Sequence, residues 1–163
     1  MAAGSESHNL IAGNMLAHLK LGVPERCRVF SFDMKVHISK APEEMYYYPD
    51  VFVTCAESDR HRHSKSDPVL VIEVLSPNTE RTDRTEKRRA YLSLPSLEEY
   101  VLVEQDLPLV EILRRRSNWE REILQPDDPI VLESVGLQLT FTQIYRQVEF
   151  AAADNGTGKG SGT

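Results

Sequence analysis

The chain has 163 residues, of which 40% are hydrophobic and 27% charged, and its formal net charge is −6. These values are typical of a soluble globular protein, and no apolar run approaches the roughly 20 residues that a membrane-spanning helix requires. The negative charge argues against a protein that coats nucleic acid non-specifically, because such binding depends on neutralising phosphates. It is compatible with an enzyme whose acidic metal ligands add to the negative count.

The N-terminal residues and the cysteines indicate the compartment. The N-terminus has neither a basic patch nor an apolar stretch before a cleavage site, so we expect a cytoplasmic protein. Cys27 and Cys55 are the two cysteines, and each lies in a predicted strand without a second Cys nearby in sequence. They are therefore predicted to be reduced core or strand residues rather than metal ligands.

The first predicted element is an amphipathic helix of about four turns. Ser5 or Ser7 caps it, and Gly22 with Pro24 ends it. Its apolar positions recur at helical spacing, and they are Leu10, Ile11, Met15, Leu16 and Leu19.

A change to alternating apolar residues predicts strands after this helix. Residues 26–38 favour two strands joined by a turn near Asp33. Residues 41–44 favour a loop, and residues 46–54 favour a third strand because they are aromatic and β-branched. Pro49 is predicted to lie at the edge of that strand or at a bulge, since it cannot donate a ladder hydrogen bond.

The next strand contains the most informative residue of the chain. After a polar surface loop predicted over residues 57–67, residues 68–76 are almost continuously apolar, which is typical of a strand buried on both faces. Glu73 is the single charged residue within that run. A buried carboxylate is unfavourable unless it is paired, protonated or bound to a metal, so Glu73 is predicted to have a partner.

The second half of the chain mixes helices and strands, which predicts a mixed α/β fold. The predicted elements are a helix over residues 79–92, a strand over 99–104, a hairpin of 109–115 with 119–124, a strand over 130–139 and a short helix over 140–148. We predict a single domain over residues 1–150, followed by a disordered Gly-rich tail over 151–163.

Asp50 is the natural partner of Glu73, because it begins the apolar half of the preceding strand. If the two strands pair, both carboxylates can point into one cleft. Two hard oxygen donors, completed by waters and a backbone carbonyl, suit Mg²⁺ or Mn²⁺. Taken alone, Asp50 is more simply a turn residue after proline, and Glu73 more simply one half of a structural ion pair.

Lys87 is the candidate cation of this site. It lies four residues after Asp83 on the predicted helix, so an exposed ion pair between the two would also explain it. The helix starts just beyond the C-terminal end of the Glu73 strand. A long side chain from its second or third turn could therefore return over the two carboxylates.

An ordered set of motifs between residues 8 and 148 resembles a known family. The set is Pro49-Asp50, then Ile72-Glu73-Val74-Leu75-Ser76-Pro77, then Thr79, Asp83, Lys87 and Tyr91 at four-residue spacing, then Glu99-Tyr100-Val101-Leu102-Val103. It resembles the restriction-endonuclease-like proteins of the PD-(D/E)xK nuclease superfamily. The resemblance implies a restriction-endonuclease-like fold, with a central mixed β-sheet flanked by helices and an additional β-hairpin.

The same resemblance implies a metal-dependent endonuclease that hydrolyses phosphodiester bonds of DNA, and a homodimer. Asp50 and Glu73 would hold Mg²⁺ or Mn²⁺ together with the backbone carbonyl of Val74, and Lys87 would lie beside the attacking water. The lysine expected two residues after Glu73 is Leu75 here, so the role falls to Lys87 on the following helix. The accessory candidates are His8, Asp83 and Ser76.

Two other groups of residues have simpler explanations. His61 and His63 lie in the polar loop without a Cys or an ordered third ligand, so a solvated loop is favoured over a zinc site. Three consecutive tyrosines at 46–48 could stack bases, but aromatic residues in strands more often serve the core.

A basic run and two rival functions complete the sequence-based hypotheses. Arg81, Arg84 and Arg88 recur on the Lys87 helix, where they form either a solvated face or a contact surface for nucleic acid. The alternative function is a catalytically weak or inactive nuclease-like module that binds nucleic acid or a protein partner. A structural interaction domain is the third hypothesis. Convergence of Asp50, Glu73 and Lys87 on one site discriminates between the nuclease and these alternatives.

Overall fold

The fold begins with the predicted amphipathic helix. The computed structural model describes residues 4–77, 81 and 83–152. Helix α1 (Glu6–Gly22) starts after Ser5, whose side-chain oxygen accepts a hydrogen bond from the backbone N–H of His8. Its buried residues, Ile11, Ala12, Met15 and Leu19, lie on one face. The prediction of this helix and its cap is confirmed.

A six-stranded mixed sheet forms the centre of the molecule. Its strands, in spatial order, are β1 (Arg28–Ser31), β4 (Val51–Thr54), β6 (Pro68–Leu75), β7 (Glu99–Glu104), β8 (Val110–Arg114) and β9 (Arg121–Leu124). β6 and β7 are parallel, and the other neighbours are antiparallel. This parallel pair at the centre explains the continuous apolar run of β6, because it is covered on both faces.

Two small sheets accompany the central one. The first contains β2 (Lys35–Lys40), β3 (Glu43–Tyr47) and β5 (Ser64–Lys65), with β2 in the middle. The second is a hairpin of β10 (Ile130–Leu132) and β11 (Leu137–Leu139).

The helices complete the layers on both faces of the central sheet. Helix α2 (Arg88–Leu92) follows a π-helical segment (Asp83–Lys87), and α3 (Phe141–Ile144) lies near the C-terminus. One core joins α1, α3 and the β10–β11 hairpin to the central sheet, and a second core joins α2 and the β2–β3 pair to it. Within the described residues, no helix is both long and apolar enough to cross a membrane.

Several predicted strand boundaries are wrong, for identifiable reasons. The strand predicted over residues 46–54 is interrupted at 48–50, where the chain passes from the small sheet to the central one and Pro49 is buried. The loop predicted over 41–44 ends early, since β3 already begins at Glu43. The strand predicted over 130–139 is a hairpin, because Gly136 adopts a positive φ of 64°.

The polar loop predicted over residues 57–67 is partly buried. Asp59 is 5% exposed, and its carboxylate accepts hydrogen bonds from the Thr54 hydroxyl and from the backbone N–H groups of Ser66 and Asp67. This carboxylate organises the segment that contains β5. A polar composition therefore does not exclude burial where the chain supplies its own hydrogen-bond donors.

The prediction that both cysteines are reduced is also wrong, because Cys27 and Cys55 form a disulfide. Cys27 precedes β1 and Cys55 follows β4, and the antiparallel register pairs Arg28 with Thr54. The two cysteines are thus opposite one another across adjacent strands. Their separation of 28 residues in sequence concealed this pairing. The predicted disorder from residue 153 onward and the predicted helix start at Thr79 lie outside the described residues.

Candidate active site

Pairing of β4 with β6 places Asp50 beside Glu73. The register pairs Val51 with Ile72, so Asp50, one residue before β4, lies level with Glu73. The backbone N–H of Asp50 donates to Glu73 Oε2 at 3.4 Å, and the N–H of Val74 donates to Asp50 Oδ2 at 2.8 Å. Glu73 is 2% exposed. The two carboxylates therefore meet near the C-terminal end of β6.

Lys87 and Tyr91 contact the Glu73 carboxylate from the helical segment that follows β6. Lys87 Nζ lies 3.5 Å from Glu73 Oε1, and the Tyr91 hydroxyl donates to that oxygen at 3.4 Å. The two side chains are four residues apart, which places them on one side of the helical segment. Tyr91 is fully buried, and its ring lies 5.6 Å from those of Tyr47 and Tyr100. The Lys87 side chain retains 17% exposure.

His8 approaches the site from α1. Its Nε2 lies 3.2 Å from Asp50 Oδ1, and both side chains are partly exposed. The N-terminus of α1 is held in turn by Ser5, whose hydroxyl donates to Gln105 Oε1 at 3.0 Å just after β7. Both oxygens of Asp50 thus contact nitrogen donors, one on α1 and one on β6, which fixes the orientation of the carboxylate.

The arginines of the Lys87 segment have different surroundings. Arg84 donates to Glu111 Oε2 at 2.6 Å and to Glu104 Oε1 at 2.8 Å, so its guanidinium links the segment to β7 and β8. Arg81 is exposed and Arg88 is half-buried. Nucleic-acid contacts by these three residues stay predictions.

The remaining accessory candidates lie near the two carboxylates in the chain. Ser76 follows β6 directly and is half-buried. Asp83 begins the π-helical segment, but its side chain lies outside the described part of the structure. Val74 contributes its N–H to Asp50, and metal binding by its carbonyl stays a prediction.

The donor set at this position suits a hard divalent cation. Within residues 4–77, 81 and 83–152, no three His, Cys, Asp or Glu side chains are grouped so that they could hold a metal ion. The protein ligands would be Asp50 and Glu73, and Mg²⁺ is commonly held by one or two carboxylates with water and phosphate oxygens completing its shell. The residues present therefore fit Mg²⁺ or Mn²⁺.

The sequence placed Tyr91 at helical spacing from Lys87, which predicts a shared helix face, but gave Tyr91 no role at the site. Tyr47 donates to Glu86 Oε1 at 2.9 Å, and burial together with this hydrogen bond raises the pKa of Tyr47. Tyr47 packs against the core as expected, whereas Tyr46 and Tyr48 are 50% and 56% exposed. The core interpretation of the three tyrosines is therefore wrong for two of them.

The fold is of the restriction-endonuclease-like class. The structure superposes with a TM-score of 0.69 on a crystal structure from Anabaena variabilis described as "a putative nuclease belonging to DUF820". The two chains are 19% identical, and the match covers 87% of this chain and 82% of the other. The predicted fold class is confirmed by this similarity.

Sequence comparison gives the family. A family model named Uma2 and described as "Putative restriction endonuclease" matches residues 1–142. The Synechocystis protein slr1290 is 34% identical over 157 residues, which cover 92% of this chain and 80% of the relative. A second Synechocystis protein, sll1609, is 33% identical over 109 residues, 64% of this chain and 60% of the relative. Both relatives are described as uncharacterized. The chain belongs to the Uma2 family, and the predicted family resemblance is confirmed.

Proposed function

We propose that the chain is a metal-dependent endonuclease that hydrolyses phosphodiester bonds of DNA. The observation that supports this function best is the convergence of Asp50, Glu73 and Lys87 at one end of β6. The three groups come from three separate parts of the sequence, and packing brings the buried Glu73 together with the partly exposed Asp50 and Lys87. The family description is consistent with the same chemistry.

Asp50 and Glu73 would hold Mg²⁺ or Mn²⁺ in this proposal. A bound divalent ion lowers the pKa of a coordinated water and neutralises charge on the phosphoryl group. His8 and the Val74 N–H keep Asp50 in its orientation, and Tyr91 does the same for Glu73. Pre-oriented ligands avoid reorganisation when the substrate arrives.

Lys87 would act on the scissile phosphate. Its side chain contacts the buried Glu73 and is partly exposed, so we expect an entering phosphate to reach it. A fixed positive charge stabilises the negative charge that develops on the phosphate oxygens during water attack. In an alternative role, an uncharged Lys87 amine accepts the proton of the attacking water.

A homodimer and a cytoplasmic location are further parts of the proposal. The Cys27–Cys55 disulfide argues against a cytoplasmic location, because disulfides persist mainly in oxidising compartments. Light scattering of the purified protein, and thiol labelling of the protein inside its native cells, test the two predictions separately.

The test of the function is a titration of Mg²⁺ or Mn²⁺ with plasmid and single-stranded DNA. We expect cleavage by the wild type that disappears in EDTA and falls by at least about 100-fold in Asp50→Ala and Glu73→Ala, the effect typical of losing one electrostatic contributor. Glu25→Ala is the matched control, because Glu25 is an exposed carboxylate beyond the opposite end of α1 from His8. Cleavage that persists unchanged in both site variants would refute the proposal.

A further inference from the structure

Two tyrosines that closely precede Asp50 in the sequence present their side chains to solvent. Tyr46 and Tyr48 are 50% and 56% exposed, and they are the two most exposed aromatic side chains of the described residues. Tyr47 between them turns inward to the core. Successive residues of a strand point to opposite sides, which places Tyr46 opposite Tyr47, and Tyr48 is exposed directly after the end of β3. We call this pair the tyrosine ledge.

The tyrosine ledge is held in place without being buried. His37, the cross-strand partner of Tyr46, stacks on its ring with a centroid distance of 4.8 Å and an interplanar angle of 17°. Lys35 Nζ lies 4.7 Å from the centroid of the same ring. These contacts restrict the motion of Tyr46 and add a positive charge to the ledge. Within the described part of the chain, Tyr48 has no ring or hydrogen-bond partner, so its ring is available to a ligand.

The ledge is tied closely to the metal-ligand candidates. Tyr48 is separated from Asp50 by one residue, Pro49, which is buried and therefore anchors the connection. The Cα atoms of Tyr48 and Asp50 are at most about 7.6 Å apart, since consecutive Cα atoms are about 3.8 Å apart. A nucleotide stacked on Tyr48 would therefore have its phosphate or that of its neighbour within reach of Asp50.

We propose that the tyrosine ledge stacks unpaired bases, so that the substrate is single-stranded nucleic acid, or an unpaired segment, at the position of cleavage. The inference rests on the proposed function of the Asp50–Glu73 site and names its substrate class. Every base has a flat face that can stack on a tyrosine, and this interaction is largely independent of sequence. In a duplex those faces are covered by the neighbouring base pairs, so the ledge discriminates between paired and unpaired bases.

The charge of the protein favours stacking as the source of affinity. With a formal net charge of −6, the chain gains little from general attraction to phosphates. Lys35 supplies a local cation beside the Tyr46 ring, and aromatic groups with positive charge are typical of single-strand binding surfaces. A protein partner on the same ledge is the competing occupant, and it predicts no preference for unpaired bases.

The experiment measures binding separately from cleavage. Fluorescence anisotropy in EDTA compares a labelled single-stranded DNA oligonucleotide, the RNA of the same sequence and the DNA duplex, for the wild type, Tyr48→Ala and Tyr48→Phe. The matched control is Leu21→Ala, because Leu21 is 90% exposed and lies about 20 Å along α1 from His8, at about 1.5 Å per residue. Thermal unfolding of each variant checks that the fold is retained.

We expect the wild type to bind single strands more tightly than the duplex. Tyr48→Ala should weaken single-strand binding by at least about fivefold, while Tyr48→Phe and Leu21→Ala bind as the wild type does. Equal binding by Tyr48→Ala and the wild type, or a preference for the duplex, would overturn the inference while leaving metal-dependent cleavage untouched. Cleavage that is unaffected by Asp50→Ala would instead refute the proposed function, whatever the ledge binds.

Discussion

The Arg114 network and the Asp50–Glu73 pair both bring charged groups into the interior, but the first is much more enclosed. Arg114 is 5% exposed and Glu99 is 1% exposed. Each nitrogen of the guanidinium donates to a protein acceptor, namely Glu99 Oε2 at 3.0 Å, the Glu122 carboxylate, and the Val131 carbonyl at 2.6 Å. Glu99 also accepts a hydrogen bond from the backbone N–H of Ser134 at 2.7 Å.

The candidate site is arranged differently around its one deeply buried group. Glu73 contacts Lys87, Tyr91 and the backbone N–H of Asp50 at 3.4–3.5 Å, which is longer than charge-assisted hydrogen bonds of about 2.7–2.9 Å. The side chains of His8, Asp50 and Lys87 keep 17–19% exposure. The Arg114 network therefore serves as a scaffold, whereas three side chains of the candidate site remain partly exposed to solvent.

Replacement of Arg114 should have the largest effect on stability. Arg114→Met leaves the Glu99 carboxylate buried without its cation, and breaking a buried pair in this way destabilises by about 3–5 kcal/mol. Urea unfolding measures the loss. The neighbouring Arg116→Met is the control, because Arg116 pairs with Glu133 at 2.6 Å but its side chain is 63% exposed. Exposed pairs contribute little to stability because solvent screens them, so equal losses in both variants would contradict the contrast between the network and the surface.

Replacing Glu99 and Glu73 in turn by glutamine should destabilise the two regions to different extents. Glu99→Gln leaves the enclosed Arg114 partly unsatisfied, and we expect it to cost about 2–3 kcal/mol. Glu73→Gln removes a desolvated charge, while its amide can still accept from Tyr91 and Lys87 can turn to solvent, so we expect a loss below about 1 kcal/mol. The free energies of unfolding of the two variants are compared in urea. If Glu73→Gln is as destabilising as Glu99→Gln, the carboxylate at the site is part of the scaffold.

The sequence was most informative for features that depend on the residue pattern within a single strand or helix. Glu73 within the apolar run of β6 predicted a buried carboxylate with a partner, and burial at 2% exposure with Lys87 nearby agrees with this. The position of Lys87 near Glu73 was also predictable, because its helical segment directly follows the Glu73 strand in the sequence. These features depend on patterns within a few residues, which the sequence displays directly.

The sequence failed where distant segments pair. The Cys27–Cys55 disulfide and the separation of β3 from β4 both depend on which strands become neighbours. The two cysteines are 28 residues apart, which left no local sign of their pairing. The exposure of Tyr48 also depends on the strand arrangement, because β3 ends just before this residue. The burial of Asp59 was not predicted because its segment is polar, although nearby groups of the chain donate hydrogen bonds to its carboxylate.

Binding of Mn²⁺ tests most directly the central claim that Asp50 and Glu73 form a divalent-metal site. Isothermal titration calorimetry with Mn²⁺, in the absence of nucleic acid, should show that the wild type and the control Glu25→Gln both bind the ion. Asp50→Asn and Glu73→Gln should each bind at least about 10-fold more weakly, since even residues that only support metal ligands change affinity by about 10- to 100-fold. Unchanged Mn²⁺ affinity in folded Asp50→Asn and Glu73→Gln would contradict the account.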